Sequence, residues 1–331
     1  MDLKSVLMGL SFAVIWASAF TATRVVVQEM PPLSALVVRF AISAVIAIGL
    51  ARAMGQTMRL TRAEWRTVVV FGLCQNALYL GLNWMGMQWV EASAAAIIAS
   101  MMPLLVAFAG WAILGERLRP MAVAGLVVGV VGVTIIMGVR LSHGMNLLGL
   151  GMCLAAVVAL TVATLAVRTA GGGPNVLMIV GLQMAVGSAA LVLPALALEW
   201  GRPIDWGIPL VGGLTYSILV PGILATFIWF RLVTRIGAVR AAAFHFLSPP
   251  LGVAIAALWL GERFGWSDVI GSIIVAIGIL MVQLARVSPR PVQAASPDAA
   301  ASTARRVPRG PDSARPRGRS ARCRGSGGGH G

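Results

Sequence analysis

The chain has 331 residues, of which 58% are hydrophobic and only 11% are charged, and its mean hydropathy is +0.88. A water-soluble domain of this size needs a larger polar fraction to cover its surface, so the composition excludes an ordinary soluble globular protein. The charged residues collect in short segments separated by roughly 20 residues, the length that a helix needs to cross the hydrocarbon of a bilayer.

Ten apolar segments follow one another along the chain, separated by charged or Pro- and Gly-rich breaks. Each is long enough to cross a bilayer as a helix, the conformation that bonds all of its backbone N–H and C=O groups within the segment. The sequence therefore predicts an all-α, polytopic membrane protein. Its ten transmembrane helices are expected at residues 6–27, 33–51, 65–85, 92–114, 121–139, 146–167, 175–198, 206–230, 238–260 and 266–284.

Arginine is concentrated in alternate connections between these segments, and positively charged connections are retained on the cytoplasmic side of a membrane. The second, fourth, sixth and eighth connections carry Arg52, Arg59, Arg62, Arg66, Arg117, Arg119, Arg168, Arg231, Arg235 and Arg240. The other connections carry only Arg140, Arg202 and Arg263, with Arg24 at the end of a segment. Both termini are therefore predicted to be cytoplasmic.

One pattern occurs twice in the chain at a constant offset of 146 residues. In each copy a proline leads to Leu-Gly-Glu-Arg and then to two glycines, at Pro103, 114–117, Gly125 and Gly132 and again at Pro249, 260–263, Gly271 and Gly278. Such duplication indicates two homologous halves, predicted as five-helix repeats at residues 1–142 and 143–285. Because five is an odd number, the second repeat is expected to enter the membrane inverted, with Arg117 and Arg263 on opposite sides.

Residues 286–331 form an Arg-, Pro- and Gly-rich segment after the last apolar span. It contains ten arginines against Asp298 and Asp312, so it carries +8 of the chain's net charge of +15. Nucleic-acid binding is one interpretation of such a segment, but it has no Phe, Tyr or Trp to stack on bases. Its composition favours a disordered cytoplasmic tail close to anionic lipid, and no nucleic-acid partner is expected.

These motifs together resemble the EamA-type branch of the drug/metabolite transporter superfamily. The resemblance covers about residues 5–285, and it rests on Trp16, Pro32, Arg39 and the two Leu-Gly-Glu-Arg sequences that close the fourth and ninth spans. It implies a ten-helix permease, commonly a bacterial inner-membrane exporter of amino acids, metabolites or drugs. It does not identify the substrate, because that family is functionally broad.

Three prolines lie near the middles of their predicted spans, namely Pro103, Pro221 and Pro249. A proline inside a helix removes one backbone hydrogen bond and frees a carbonyl group, which at membrane depth must be buried in protein or face a wet cavity. The duplicated pair, Pro103 and Pro249, are the preferred hinge candidates. An ordinary kink that only improves packing is the alternative interpretation.

The third span carries four uncharged polar side chains, Gln75, Asn76, Tyr79 and Asn83. In an α-helix the last three share one face, and amides near the bilayer centre are costly unless they are paired or hydrated. We predict that this face lines the substrate cavity. The alternative is hydrogen bonding between helices, which contributes only about 0.6 to 2 kcal/mol per contact in membranes.

Aromatic and polar side chains of other spans complete the predicted cavity. The second half offers Gln183, Tyr216, Trp229, Phe244 and His245 at comparable depth. His245 is either a proton carrier or a neutral hydrogen-bond partner, and the second role is favoured. In the first half, Trp16 is a candidate aromatic wall for a substrate or a side chain that merely fills space.

Arg39 lies about 10 Å down the second span from its outer end, at a rise of 1.5 Å per residue. It is a candidate to attract an anionic or zwitterionic substrate. Alternatively its long side chain snorkels to the outer interface, which is the interpretation that we favour from the sequence.

The sequence offers little for catalysis. No Asp or Glu lies in the middle of any predicted span, and the three cysteines and three histidines show no metal-ligand spacing. An enzyme would need paired carboxylates, a metal set or a nucleophile with its base at one depth, so neither an enzyme nor a metal or cofactor is predicted. The expected substrate is a small neutral, zwitterionic or amphipathic metabolite. The alternative to a transporter is a membrane sensor or scaffold that recruits partners through its basic tail.

Small residues recur on the fifth and tenth spans, at Gly125, Gly129 and Gly132 and at Gly271 and Gly278. Such stripes let helices approach closely, and we expect this contact within one chain. Whether the protein is a monomer or a homodimer does not follow from the sequence.

Overall fold

The computed structural model describes residues 2–113, 115–167, 175–237, 241, 243–263 and 265–287, and these form helices, turns and loops without a strand. In chain order the helices are α1 Leu3–Glu29, α2 Pro32–Ala53, α3 Arg62–Gly86, α4 Ala92–Ala112, α5 Pro120–Ser142, α6 Leu147–Val167, α7 Val176–Glu199, α8 Ile208–Val233, α9 Phe244–Leu260 and α10 Trp266–Val287. The all-helical prediction is confirmed for this part of the chain.

Nine of the helices in the described ranges are long and apolar enough to cross a membrane. The exception is α9, whose 17 residues are fewer than the span predicted at 238–260. Residues 238–240 and 242 lie outside the described residues, Ala241 and Ala243 are helical, and Phe244–Leu247 form a 3-10 turn before the α-helix Ser248–Leu260. Within the described residues, nine of the ten predicted spans are therefore full-length helices, and the described part of the ninth is shorter.

The last helix, α10, continues through Val287 and so includes the first two residues of the segment predicted as tail. Residues 288–331 lie outside the described residues, as do Leu114, Arg168 and Arg240.

One end of the bundle, called here the Arg140 end, brings together the five connections that the charge pattern predicts to share the outer side. Three groups of hydrogen bonds join them: the Asp205 N–H donates to Glu29 O at 2.9 Å, Arg24 donates to Met87 O, and Arg140 donates to Glu91 and Asp268. The connections lie between α1 and α2, α3 and α4, α5 and α6, α7 and α8, and α9 and α10. Their meeting at one end agrees with helices that run alternately up and down.

The opposite end, called the Arg235 end, joins the N-terminus to the helical segment Ala225–Ile236, which continues α8. Arg235 donates from Nε to Ser5 Oγ at 3.0 Å and also pairs with the Asp2 carboxylate. Hydrogen bonds from Arg235 and Ser5 lower the pKa of Asp2 to about 2. The carboxylate therefore remains charged, and the pair is present, at every physiological pH.

Each Leu-Gly-Glu-Arg sequence ends a helix. Gly115 and Gly261 adopt φ angles of +67° and +66°, a left-handed conformation that glycine reaches without a steric penalty. The next N–H groups bond back over the helix end, from Glu116 to Gly110 O at 3.0 Å and from Glu262 to Ala256 O at 3.4 Å. A left-handed glycine followed by a backbone hydrogen bond thus ends both α4 and α9.

Two carboxylates from the second half cap helices of the first half at the Arg140 end. Glu262 accepts from the N–H groups of Ala92 and Ser93 at 2.7 and 3.1 Å, at the start of α4. Glu199 does the same for Leu33 and Ser34 at 2.9 and 2.7 Å, at the start of α2. Neither helix has a side-chain cap of its own, so these bonds satisfy otherwise unpaired N–H groups.

The glycine stripes of α5 and α10 pack against each other within the chain. A Cβ added at Gly125 would lie 2.8 Å from Gly278 O, and one added at Gly278 would lie 2.5 Å from Gly129 N. The two backbones are therefore in direct contact, which confirms the expected intramolecular packing. The pair α5 and α10 and the pair α2 and α7 are the most extensive helix contacts in the described residues.

Replacing Gly278 by Ala is expected to lower the free energy of unfolding by about 1 to 3 kcal/mol, because the new methyl group meets backbone that cannot yield as a side chain would. Gly138→Ala on α5 is the matched control, since a Cβ there meets nothing within 4 Å. That change should be neutral or stabilising, because alanine favours a helix. Thermal unfolding in detergent measures both. Equal melting temperatures for the two variants would contradict the backbone contact.

Candidate functional site

Two π-helical segments interrupt the α-helices at equivalent positions of the two halves. They are Gly72–Leu80 in α3 and Ile218–Leu224 in α8, and their first residues are separated by the same 146 positions as the sequence motifs. Such segments are rare in helices and are frequent at functional sites. Pro221, one of the predicted hinges, lies inside the second segment.

The other two predicted hinges also mark interruptions. The α-helix of α4 breaks at Met101, and Pro103 lies buried in the first turn of the segment Met102–Ala112. In α9 the 3-10 turn Phe244–Leu247 precedes Pro249, which lies in the first turn of Ser248–Leu260. Proline lacks the N–H that a continuous helix would need at these places, so the breaks follow from the residue type.

Four rings from α1, α8 and α9, called here the aromatic cluster, meet inside the bundle: Phe12, Trp16, Trp229 and His245. The centroid of the His245 ring lies 5.2 Å from Phe12, 5.4 Å from Trp16 and 5.6 Å from Trp229, and the first two contacts are edge-on. Three predicted site residues are thus brought together. Sequence reasoning missed Phe12, although its i, i+4 spacing to Trp16 places both on one face of α1.

Two further predicted residues flank this cluster. Phe244 packs its ring against Gly9, where an added Cβ would lie 2.3 Å from the ring, and it shares a hydrophobic cluster with Trp229. Tyr216 shares a 2.6 Å hydrogen bond between its hydroxyl group and Ser18 Oγ. Both contacts join α1 to helices of the second half.

Asn76, Tyr79 and Asn83 are all buried, and Asn76 bonds to a neighbouring helix. Its Nδ2 donates to Gln183 O on α7 at 2.9 Å, and it packs against Gly187. This is a hydrogen bond between helices, the alternative interpretation for this residue. The π-helical segment changes the rotation per residue, so the assumed α-helical spacing does not hold there. The side chains of Gln75 and Gln183 are half-buried.

Arg39 is buried within the bundle and does not snorkel. Its guanidinium carbon lies 5.4 Å from the ring centroid of Phe40 and 5.3 Å from that of Trp84. Trp84 is on α3, and Tyr79 of the same helix packs against Ala156 and Leu160 of α6. The second and third spans therefore meet around a cation.

Several buried polar atoms in the described residues have no hydrogen-bond partner in the protein. They belong to α1, α2, α3 and α9, and they are Thr21 Oγ1, Arg39 Nε, Ser43 Oγ, Asn83 Nδ2 and Ser248 Oγ. Buried polar atoms are normally bonded, so a set without protein partners is informative. Ser43 lies one turn after Arg39 on the same face of α2, a spacing that the sequence already displays.

The pockets at the Arg140 end lie away from the predicted residues. A cavity of about 660 Å³ is lined by residues that include Trp89, Glu91, Arg140, Arg263 and Asp268. A smaller one of about 210 Å³ lies beside Ser34 and Glu199. None of the predicted substrate residues lines either pocket, and the sequence analysis did not anticipate these sites.

Comparison with known proteins matches the EamA-like transporter family to residues 3–138 and again to residues 147–284. An uncharacterised transporter of Bacillus subtilis, YvbV, is 24% identical over 82% of this chain and 90% of its own length. A "probable terminal-alkyne amino-acid exporter" of Streptantibioticus cattleyicolor is 25% identical over 81% of this chain and 90% of its own. A protein crystal structure shares the fold with a TM-score of 0.62 and 20% identity, over 86% of this chain and 99% of that one.

Removing the Asn76 amide is expected to weaken the contact between α3 and α7. Asn76→Ala should lower the free energy of unfolding by about 0.6 to 2 kcal/mol, the range for one hydrogen bond between membrane helices. Gln75→Ala is the matched control, because this neighbouring amide is only half-buried, and it should change stability less. Thermal unfolding in detergent compares the two. A larger loss for Gln75→Ala would contradict the assignment.

Proposed function

Because the chain belongs to the EamA-like transporter family, we propose that it carries a small amphipathic metabolite, an amino acid or a related compound, out of the cell by alternating access. The main support for this proposal is that the helix interruptions of the first half recur at equivalent positions of the second half. Both π-helical segments and both proline breaks recur 146 residues apart. Interrupted helices supply the flexible positions that a transport cycle requires.

The proposal includes ten spans arranged as two inverted repeats. In α9, four 3-10 residues and 13 α-helical residues give a length of about 28 Å, close to the roughly 30 Å of bilayer hydrocarbon. Glu262 caps the start of α4, whereas Glu116 and Arg117 follow the end of that helix. This separation supports opposite insertion of the two Gly-Glu-Arg sequences, with both termini in the cytoplasm and the Arg140 end outside.

We further propose that the Arg140 network is a latch at the outer end. Arg140 is 9% exposed and bonds to Asp268, Glu91 and Ser93, so it ties α5 to α10 and α4. At the equivalent positions of the other half, Ala122 corresponds to Asp268 and Gly237 corresponds to Glu91, so neither position carries an acid. The Arg235 end has instead the Arg235–Asp2 pair, whose side chains are 43% and 49% exposed, and an exposed pair stabilises less than the buried Arg140 network. This difference supports a resting protein that is closed outside and opens more easily inside.

The interior of the bundle suits a substrate with an apolar body and a polar head. The aromatic cluster offers ring surfaces, while the buried polar atoms on α1, α2, α3 and α9 offer groups that the protein leaves without partners. The amino-acid exporter named above is a relative across most of both chains. These observations together favour amino acids among the metabolites that the family carries.

Transport by the purified protein in liposomes tests the proposal. Proteoliposomes loaded with a panel of radiolabelled L-amino acids should release at least one of them faster than equally loaded liposomes without the protein do. Trp16→Ala and His245→Ala should slow that release at least about tenfold, equal to about 1.4 kcal/mol of lost substrate interaction. Trp259→Ala is the control, because this Trp on α9 is 77% exposed and should not matter. Release of no panel member would contradict the proposed substrate class.

A further inference from the structure

Arg39 and Arg140 are equally buried, with 9% of each residue exposed, but their surroundings differ. Arg140 donates to two carboxylates and to a hydroxyl group. Among the described residues, Arg39 has no carboxylate within ion-pair distance, and its Nε has no hydrogen-bond partner. The two arginines therefore provide an internal comparison between a paired and an unpaired buried cation.

The aromatic rings offset only part of the cost of burying Arg39. Removing an ion from water costs several kcal/mol even after a protein relaxes around it. A cation over an aromatic ring recovers about 2 kcal/mol when it is desolvated. The cation–π contacts of Arg39 with Phe40 and Trp84 thus leave a buried positive charge that an anion would stabilise further.

Two polar side chains of α3, the helix that carries Trp84, are also suited to an anion. Asn83, which precedes Trp84 in the chain, is 2% exposed, and its Nδ2 donor has no partner. Tyr79 lies one turn earlier on α3 and is 2% exposed. A guanidinium only donates, and the acceptors that the Asn83 and Tyr79 side chains offer are a neutral amide oxygen and a phenol oxygen rather than a carboxylate.

We propose that Arg39 binds the carboxylate of the transported metabolite, with the unpartnered Asn83 amide as a second donor and Phe40 and Trp84 as apolar walls. The proposal rests on the transport function and names its substrate class as small carboxylates with an apolar body. Arginine suits this role because its planar fork matches both oxygens of a carboxylate. The substrate anion then supplies the compensating charge that the protein does not.

Stability without substrate gives the first test. Arg140→Met leaves Asp268 buried without its partner and should lower the melting temperature in detergent. Arg39→Met removes an unpaired charge, keeps an apolar stem and should leave the melting temperature unchanged or raise it. A fall as large as that of Arg140→Met would overturn the proposal, because it would show that Arg39 is held by the protein itself.

Discrimination between an acid and its amide gives the second test. In liposomes, the wild type should move L-leucine about 10- to 100-fold faster than L-leucinamide, because hydrogen bonds between charged groups contribute about 1.5 to 3 kcal/mol. Arg39→Gln should lose this preference, so that the two rates converge. Arg39→Lys should retain part of it, since the charge remains but the planar fork is lost.

The outcomes distinguish carboxylate binding by Arg39, called here the carboxylate anchor, from the transport function. Equal wild-type rates for acid and amide would overturn the carboxylate anchor while leaving transport intact. A preference for the acid that survives in Arg39→Gln would assign the anchor elsewhere. If the wild type moves neither compound, and none of the panel amino acids raises its melting temperature, both proposals fail. An inorganic anion as occupant would show as a melting temperature that rises with chloride but not with L-leucine.

Discussion

The Arg140 end depends on carboxylates that cap helices across the two halves of the chain. Both α2 and α4 begin without a side-chain cap of their own, and a helix start exposes N–H groups that need acceptors. Glu199 and Glu262 provide those acceptors from the second half. Negative charge at a helix N-terminus is also favoured by the helix dipole. The end of the bundle is therefore assembled from both halves rather than from either one.

Close packing and helix interruption are distributed over different helices. The pair α5 and α10 meets backbone to backbone along its glycines, which leaves little freedom for relative movement. The interruptions lie instead in α3, α4, α8 and α9, and α1 packs against α8 and α9 with the aromatic cluster between them. This division suggests a rigid frame beside a movable group of helices. The Arg140 network, the latch proposed above, joins α4 to this frame.

Much of this architecture follows from spacing in the sequence, whereas the chemistry of the interior does not. The constant offset identifies the duplicated glycines, and their contact between α5 and α10 is what that spacing implies. Apolar length identifies the spans but not the 3-10 turn Phe244–Leu247 within α9. The sequence analysis assumed α-helical spacing for the polar residues of α3, and the π-helical segment that changes this spacing is seen only in the structure. Arg39 was expected to snorkel, and only the packing of Trp84 reveals that it stays buried.

Opposite insertion of the two halves is the central claim, and thiol labelling tests it most directly. Single cysteines at Arg117 and Arg263, in a chain with Cys74, Cys153 and Cys323 replaced, would be exposed to a membrane-impermeant maleimide in intact cells. Labelling of the cysteine at position 263 without permeabilisation, and of that at position 117 only after it, is the predicted result. Labelling of both under the same condition would mean that the two motifs share one side, and the inverted repeats would be wrong.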